Sequence, residues 1–140
     1  MKETVMALGL ASVMALVLPG CRGKVQQCND LIKEINATQN MINGAATAFS
    51  DKDKAKKIYD DVSAEIDKIK AVEISDEKLK EKQQKWVDEL TAFNKTMKKV
   101  TEVTSSGDAA GGQAVIKDIT DTSKKISDLV TETNKYCQGG

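Results

Sequence analysis

The stretch VIKDITDTSKKISDLVTETNKYC, residues 115–137, decides the fold. Its apolar and small positions, Val115, Ile119, Thr122, Ile126, Leu129, Val130, Thr133 and Cys137, return every three or four residues, close to a heptad repeat. That period gathers them on one side of an α-helix, whereas a half-buried strand would alternate at every second residue. Gln138-Gly139-Gly140 follows, with glycine just past the stop. Upstream, residues 105–112 (Ser-Ser-Gly-Asp-Ala-Ala-Gly-Gly) predict a loop and a frayed start to this helix. Before the loop comes a second stripe of the same kind, Leu79, Trp86, Leu90, Phe93, Met97, Val100 and Val103. Ser75-Asp76-Glu77 supplies a cap and two acids at its start. A third stripe, Ala55, Ile58, Tyr59, Val62, Ile66, Ile69 and Val72, occupies residues 52–72 behind the cap signal Ser50-Asp51. Residues 24–49 carry the fourth, through Val25, Cys28, Leu31, Ile32, Ile35, Ile42, Ala45, Ala46 and Phe49.

Four amphipathic helices of roughly 20 to 30 residues, each some 30 to 45 Å long, with short connections, predict an all-α, up-down-up-down antiparallel four-helix bundle. Composition agrees and removes several function classes. Lys+Arg and Asp+Glu number 21 each in 140 residues, so the formal charge is zero. A nucleic-acid binder needs a cationic surplus to displace counterions, so no nucleic-acid partner is expected. Histidine is absent, which takes away the commonest general base and the commonest metal ligand. No metal and no cofactor is expected. Asp51-Lys52-Asp53 begins like a calcium loop but has Lys56 in the glycine position and Val62 in the bidentate glutamate position. The glycines at 107–112 lack the lysine and the preceding strand of a phosphate loop. No nucleophile, base and orienting group can be assembled, so the chain does not read as an enzyme.

Residues 1–20 differ in kind from the rest. After Lys2, the run from Val5 to Leu18 carries no charge. At 1.5 Å per residue its fourteen positions span roughly 21 Å, short of the ~30 Å bilayer core, so it reads as a secretory leader rather than a membrane anchor. The segment ends in Leu18-Pro19-Gly20-Cys21, which resembles the lipobox of bacterial lipoproteins, with Pro19 where that family usually has a small residue. The resemblance implies cleavage after Gly20, lipidation of Cys21 and a location at the cell envelope, which leaves residues 21–140 as the helical bundle domain. Several acyl chains, at about 0.8 kcal/mol per buried methylene, make a stable membrane anchor. Arg22, where inner-membrane lipoproteins typically carry aspartate, implies the outer membrane. Cys28-Asn29-Asp30-Leu31-Ile32-Lys33-Glu34-Ile35-Asn36 is similar to the opening of small helical lipoproteins encoded in myxobacteria and their relatives, a likeness that implies no activity.

With Cys21 lipidated, Cys28 and Cys137 remain as an even pair in an oxidising setting, which favours a disulfide. An even number of antiparallel helices brings the start of the first to the end of the fourth, so the two cysteines fall at one end of the bundle. If Cys28 opposes Cys137, antiparallel register puts Asn43 opposite Thr122, and Gln39, Asn43, Thr122 and Ser123 could meet as a buried polar layer that fixes register, or line a small pocket. Two functions follow as expectations. One is a non-catalytic envelope lipoprotein that binds or scaffolds an unknown envelope protein. The alternative is a carrier holding a small or lipidic ligand between the helices.

Overall fold

Three aspartates set where three of the four helices begin. In a computed structural model of the chain, which describes residues 23–45 and 47–139, the helices are α1 (Lys24–Ala45), α2 (Lys52–Ala71), α3 (Glu77–Ser106) and α4 (Ala109–Cys137). One 3-10 turn, Ala48–Ser50, precedes α2. The Asp51 carboxylate accepts from the backbone N–H of Asp53 and of Lys54 at 3.1 Å, Asp76 from that of Leu79 at 2.8 Å, and Asp108 from that of Gly111 at 3.0 Å. Each satisfies a donor that the first turn leaves without a partner. Between α3 and α4, Gly107 adopts the left-handed conformation (φ 67°), which ends α3 and lets Asp108 start α4 at once.

The long-range contacts establish the bundle. Trp86, early in α3, donates through Nε1 to the Thr133 hydroxyl late in α4, and Lys99, late in α3, pairs with Asp118 early in α4. Gln83 near the start of α3 donates to the carbonyls of Ile69 and Val72 at the end of α2. Cys28 and Cys137 bring the start of α1 against the end of α4, with their Cα atoms 5.7 Å apart. Neighbouring helices are therefore antiparallel, and the four pack around one core. Trp86, Phe93, Leu31, Ile69, Leu79, Leu90 and Met97 are all fully buried there. Outer faces carry pairs four residues apart, Lys56–Asp60, Lys57–Asp61, Lys117–Asp121 and Lys124–Asp128, each worth little in stability. Among the described residues there is no strand, and no helix long and apolar enough to cross a membrane.

Boundaries differ from the sequence expectation in three places. The first helix stops at Ala45 rather than running to Phe49, and the 3-10 turn carries the chain to the Asp51 cap. The break expected over residues 105–112 shrinks to Gly107 and Asp108, because the cap at Asp108 draws Gly111 and Gly112 into α4. Asp76 rather than Ser75 caps α3, since the Ser75 hydroxyl and N–H are both engaged by Gln27. The leader, Cys21 and Ala46 lie outside the described residues.

Candidate functional site at the disulfide end

The end of the bundle that holds Cys28 and Cys137 is its most densely cross-linked part. The two sulfur atoms are at bonding distance, 2.12 Å, across 109 residues of sequence. Cys28 occupies the buried stripe of α1 because it follows the three- and four-residue rhythm leading to Leu31 and Ile35. Cys137 is the last residue of α4, one heptad beyond Val130.

Next to Cys28, the Gln27 amide is buried and spans two elements. Its oxygen accepts from the N–H groups of Ser75 and Asp76, at 2.7 and 3.1 Å, and its nitrogen donates to the Ser75 hydroxyl at 2.9 Å. One side chain thus holds the connection between α2 and α3 against the start of α1. Next to Cys137, the Tyr136 hydroxyl donates to the Asp76 carboxylate at 2.7 Å, and the Lys24 ammonium sits 3.9 Å from the centre of the Tyr136 ring. Lys82 approaches the same ring at 5.7 Å and pairs with Glu132 at 3.6 Å. α1, α3, α4 and the connection between α2 and α3 all meet in this set of contacts.

The hydrogen bond from the Tyr136 hydroxyl to the Asp76 carboxylate makes this end sensitive to pH. The Tyr136 hydrogen bond, then the Leu79 N–H and the Lys24 charge, hold the Asp76 carboxyl below its ordinary 3.8. The same hydrogen bond is the main cause holding the Tyr136 hydroxyl above its ordinary 10.0. A lowered carboxyl contributes stability that is complete above 3.8 and fades as pH falls through the depressed value. A raised hydroxyl contributes stability that is complete below 10.0 and fades as pH rises through the elevated value. Thermal melts of Tyr136→Phe are therefore expected to show a flatter dependence of Tm on pH at both extremes. An unchanged profile would mean the contact does not form.

The anticipated polar layer is not assembled. Thr122 is buried, but Gln39 and Ser123 are half-buried and Asn43 is exposed. No hydrogen bond joins the α1 pair to the α4 pair among the described residues. The reason is a rotation of α1 that turns Thr38 rather than Gln39 into the core. Thr38 needs no partner on another helix, because its hydroxyl donates to the Ile35 carbonyl at 2.7 Å. The buried polar groups lie elsewhere. Asn94 donates to the Ser63 hydroxyl at 2.7 Å, and Glu65, 1% exposed, takes Lys68 on one oxygen at 2.9 Å. Asn94 gave no sequence signal, and Glu65, interleaved with lysines, reads in the sequence as part of a solvated face, which its burial corrects. Gln27 was equally silent, whereas Asp76 was visible as part of a helix start.

The chemistry available is that of a brace. Its sulfur atoms are paired with each other, and among the described residues no group of three or more His, Cys, Asp or Glu side chains is placed to hold a metal ion. An open groove of about 630 Å³ runs beside it between α1 and α2, past Gln26, Asp30, Glu34, Lys68 and Glu73. The chain matches no family model, no curated protein and no solved structure.

Proposed function

We propose that the chain is a lipid-anchored protein of the cell envelope, held at the outer membrane through Cys21, whose helical bundle binds or scaffolds an envelope protein and carries out no chemistry. The observation that carries this reading is the pairing of Cys28 with Cys137. It uses two of the three cysteines and leaves Cys21, in its lipobox-like setting, as the odd one. A disulfide belongs to the oxidising compartment into which the leader-like segment would send the chain. Because α1 starts at Lys24, three residues after Cys21, an anchor there would hold the disulfide end next to the lipid. The filled core, with Trp86, Phe93 and Leu31 fully buried, favours a binding or scaffolding role over a carrier with its ligand between the helices.

The test is metabolic labelling with radioactive palmitate followed by fractionation. The chain is expected to take up label and to stay with membranes through a high-salt wash, while Cys21→Ala takes up none and is released. A chain that keeps residues 1–20 and stays unlabelled would overturn the proposal.

A further inference from the structure

One face of the bundle differs from all the others in its chemistry. The flank of α4 turned toward α3 is charged, with Asp118, Lys125 and Glu132 paired to Lys99, Glu89 and Lys82. The opposite flank, turned toward α1 as the Cys28–Cys137 pair requires, carries Thr120, Ser127 and Asn134 at intervals of seven. The matching flank of α1 carries Asn29, Asn36 and Asn43, also at intervals of seven and all exposed. In a chain of which 30% is charged, residues 35–50 and 109–116 contain no charged side chain at all. Helix flanks beside a packed seam ordinarily hold glutamate and lysine, so amides and hydroxyls in every one of these places are a departure. The two large hydrophobic side chains exposed among the described residues, Val25 at 70% and Ile116 at 50%, both lie on this same face. Val25 is near the disulfide end and Ile116 is near the other.

A charge-depleted patch carrying exposed apolar side chains has the composition of an interface core rather than of a solvated surface. This face offers a charged partner no opposite charge to pair with, whereas a neutral partner gives up no ion pair by docking on it. A second copy of this chain presents such a face. Amides both donate and accept, so rows of them can pair across a two-fold axis, where one surface must complement itself. We infer that the α1–α4 face is a self-association surface, over which two copies stand side by side and the same way up. The same-way-up arrangement rests on the proposed Cys21 anchor, which would hold both copies by one end and confine them to a plane. Each Ile116 then lies level with the Ile116 of the other copy, and each Val25 with the other Val25.

The inference is tested with a photo-crosslinking amino acid at position 116 of the full chain in intact cells, followed by mapping of the adducts. A homodimer joined from 116 to 116 is expected. Asn36→Lys with Ser127→Lys should lower its yield at least tenfold, while Ala64→Lys, on the exposed side of α2, should leave it unchanged. Circular dichroism checks that each variant keeps its helix content. Monomer alone, adducts only to another protein, or yields indifferent to the paired lysines would overturn the inference. A 116-to-25 adduct would overturn the same-way-up arrangement. The anchor is read separately: if the natural chain takes up no palmitate and leaves the membrane, yet still gives the 116-to-116 dimer when concentrated, the face survives and the anchor does not. A labelled, membrane-bound chain that yields only monomer is the reverse case.

Discussion

Guanidinium unfolding of Cys28→Ser with Cys137→Ser is expected to show a loss of about 4 to 5 kcal/mol relative to the oxidised chain. Cross-linking two points 109 residues apart removes the loop-closure part of the freedom that the unfolded chain would otherwise regain. Loop-closure entropy puts that effect near 4.7 kcal/mol for a loop of about 100 residues. Small domains have only about 5 to 15 kcal/mol in total, so the variant should be close to unfolding at moderate temperature. The denaturant slope should rise at the same time, because an uncrosslinked chain exposes more surface when it unfolds. The loss should also be uneven. α1 packs less extensively than α2, α3 or α4, so hydrogen exchange in the double variant is expected to accelerate first in Leu31–Ala45, with α3 the last to exchange. A loss below about 1 kcal/mol, or uniform exchange, would show that packing alone holds α1 in place.

Trp86→Ala is expected to cost about 3 to 5 kcal/mol, the range for removing a large aromatic side chain from a packed core. Trp86 has no exposed surface, lies between Leu79 and Leu90 on the buried stripe of α3, and donates from Nε1 to Thr133 at 3.1 Å. The hydrogen bond and the packing can be separated. Trp86→Phe keeps most of the ring but removes the donor, and should cost about 1 to 2 kcal/mol, the loss of one buried hydrogen bond with a small void. Thr133→Val in the same background should then add little, because the hydroxyl has already lost its partner. Trp86 is the sole tryptophan, so circular dichroism must follow the variants, while its fluorescence reports unfolding of the natural chain. Full additivity of Trp86→Phe and Thr133→Val would exclude the contact.

How far the fold could be read in advance varied along the chain, for identifiable reasons. In α4 the stripe Val115, Ile119, Thr122, Ile126, Leu129 and Thr133 is the buried set, because large apolar residues recur there among charged ones and leave one orientation. In α1 the residues between Ile35 and Ala45 are asparagine, alanine, threonine, glutamine and glycine as much as isoleucine, and hydropathy separates them poorly. The expected orientation was therefore wrong by about one residue, with Thr38 taking the place expected for Gln39. The proximity of Cys28 and Cys137 was legible because it depends only on the parity of antiparallel helices. The Gln27 bridge and the Tyr136–Asp76 contact were not legible. Each joins residues 48 to 60 positions apart through ordinary polar side chains, and only the packed bundle brings them together.

The bridge between the two ends of the folded chain also governs how it bears a load. Tension applied through the segment ahead of Gly23 enters α1 and, through the sulfur link, α4 at the same point. No pull on that leash can peel the chain away one residue at a time beyond Cys28, since the 109 residues that follow form a closed ring. Held by the leash against a grip on the far turns, the ring divides the force between two strands of chain, and its greatest extension is about half that of an open chain of equal length.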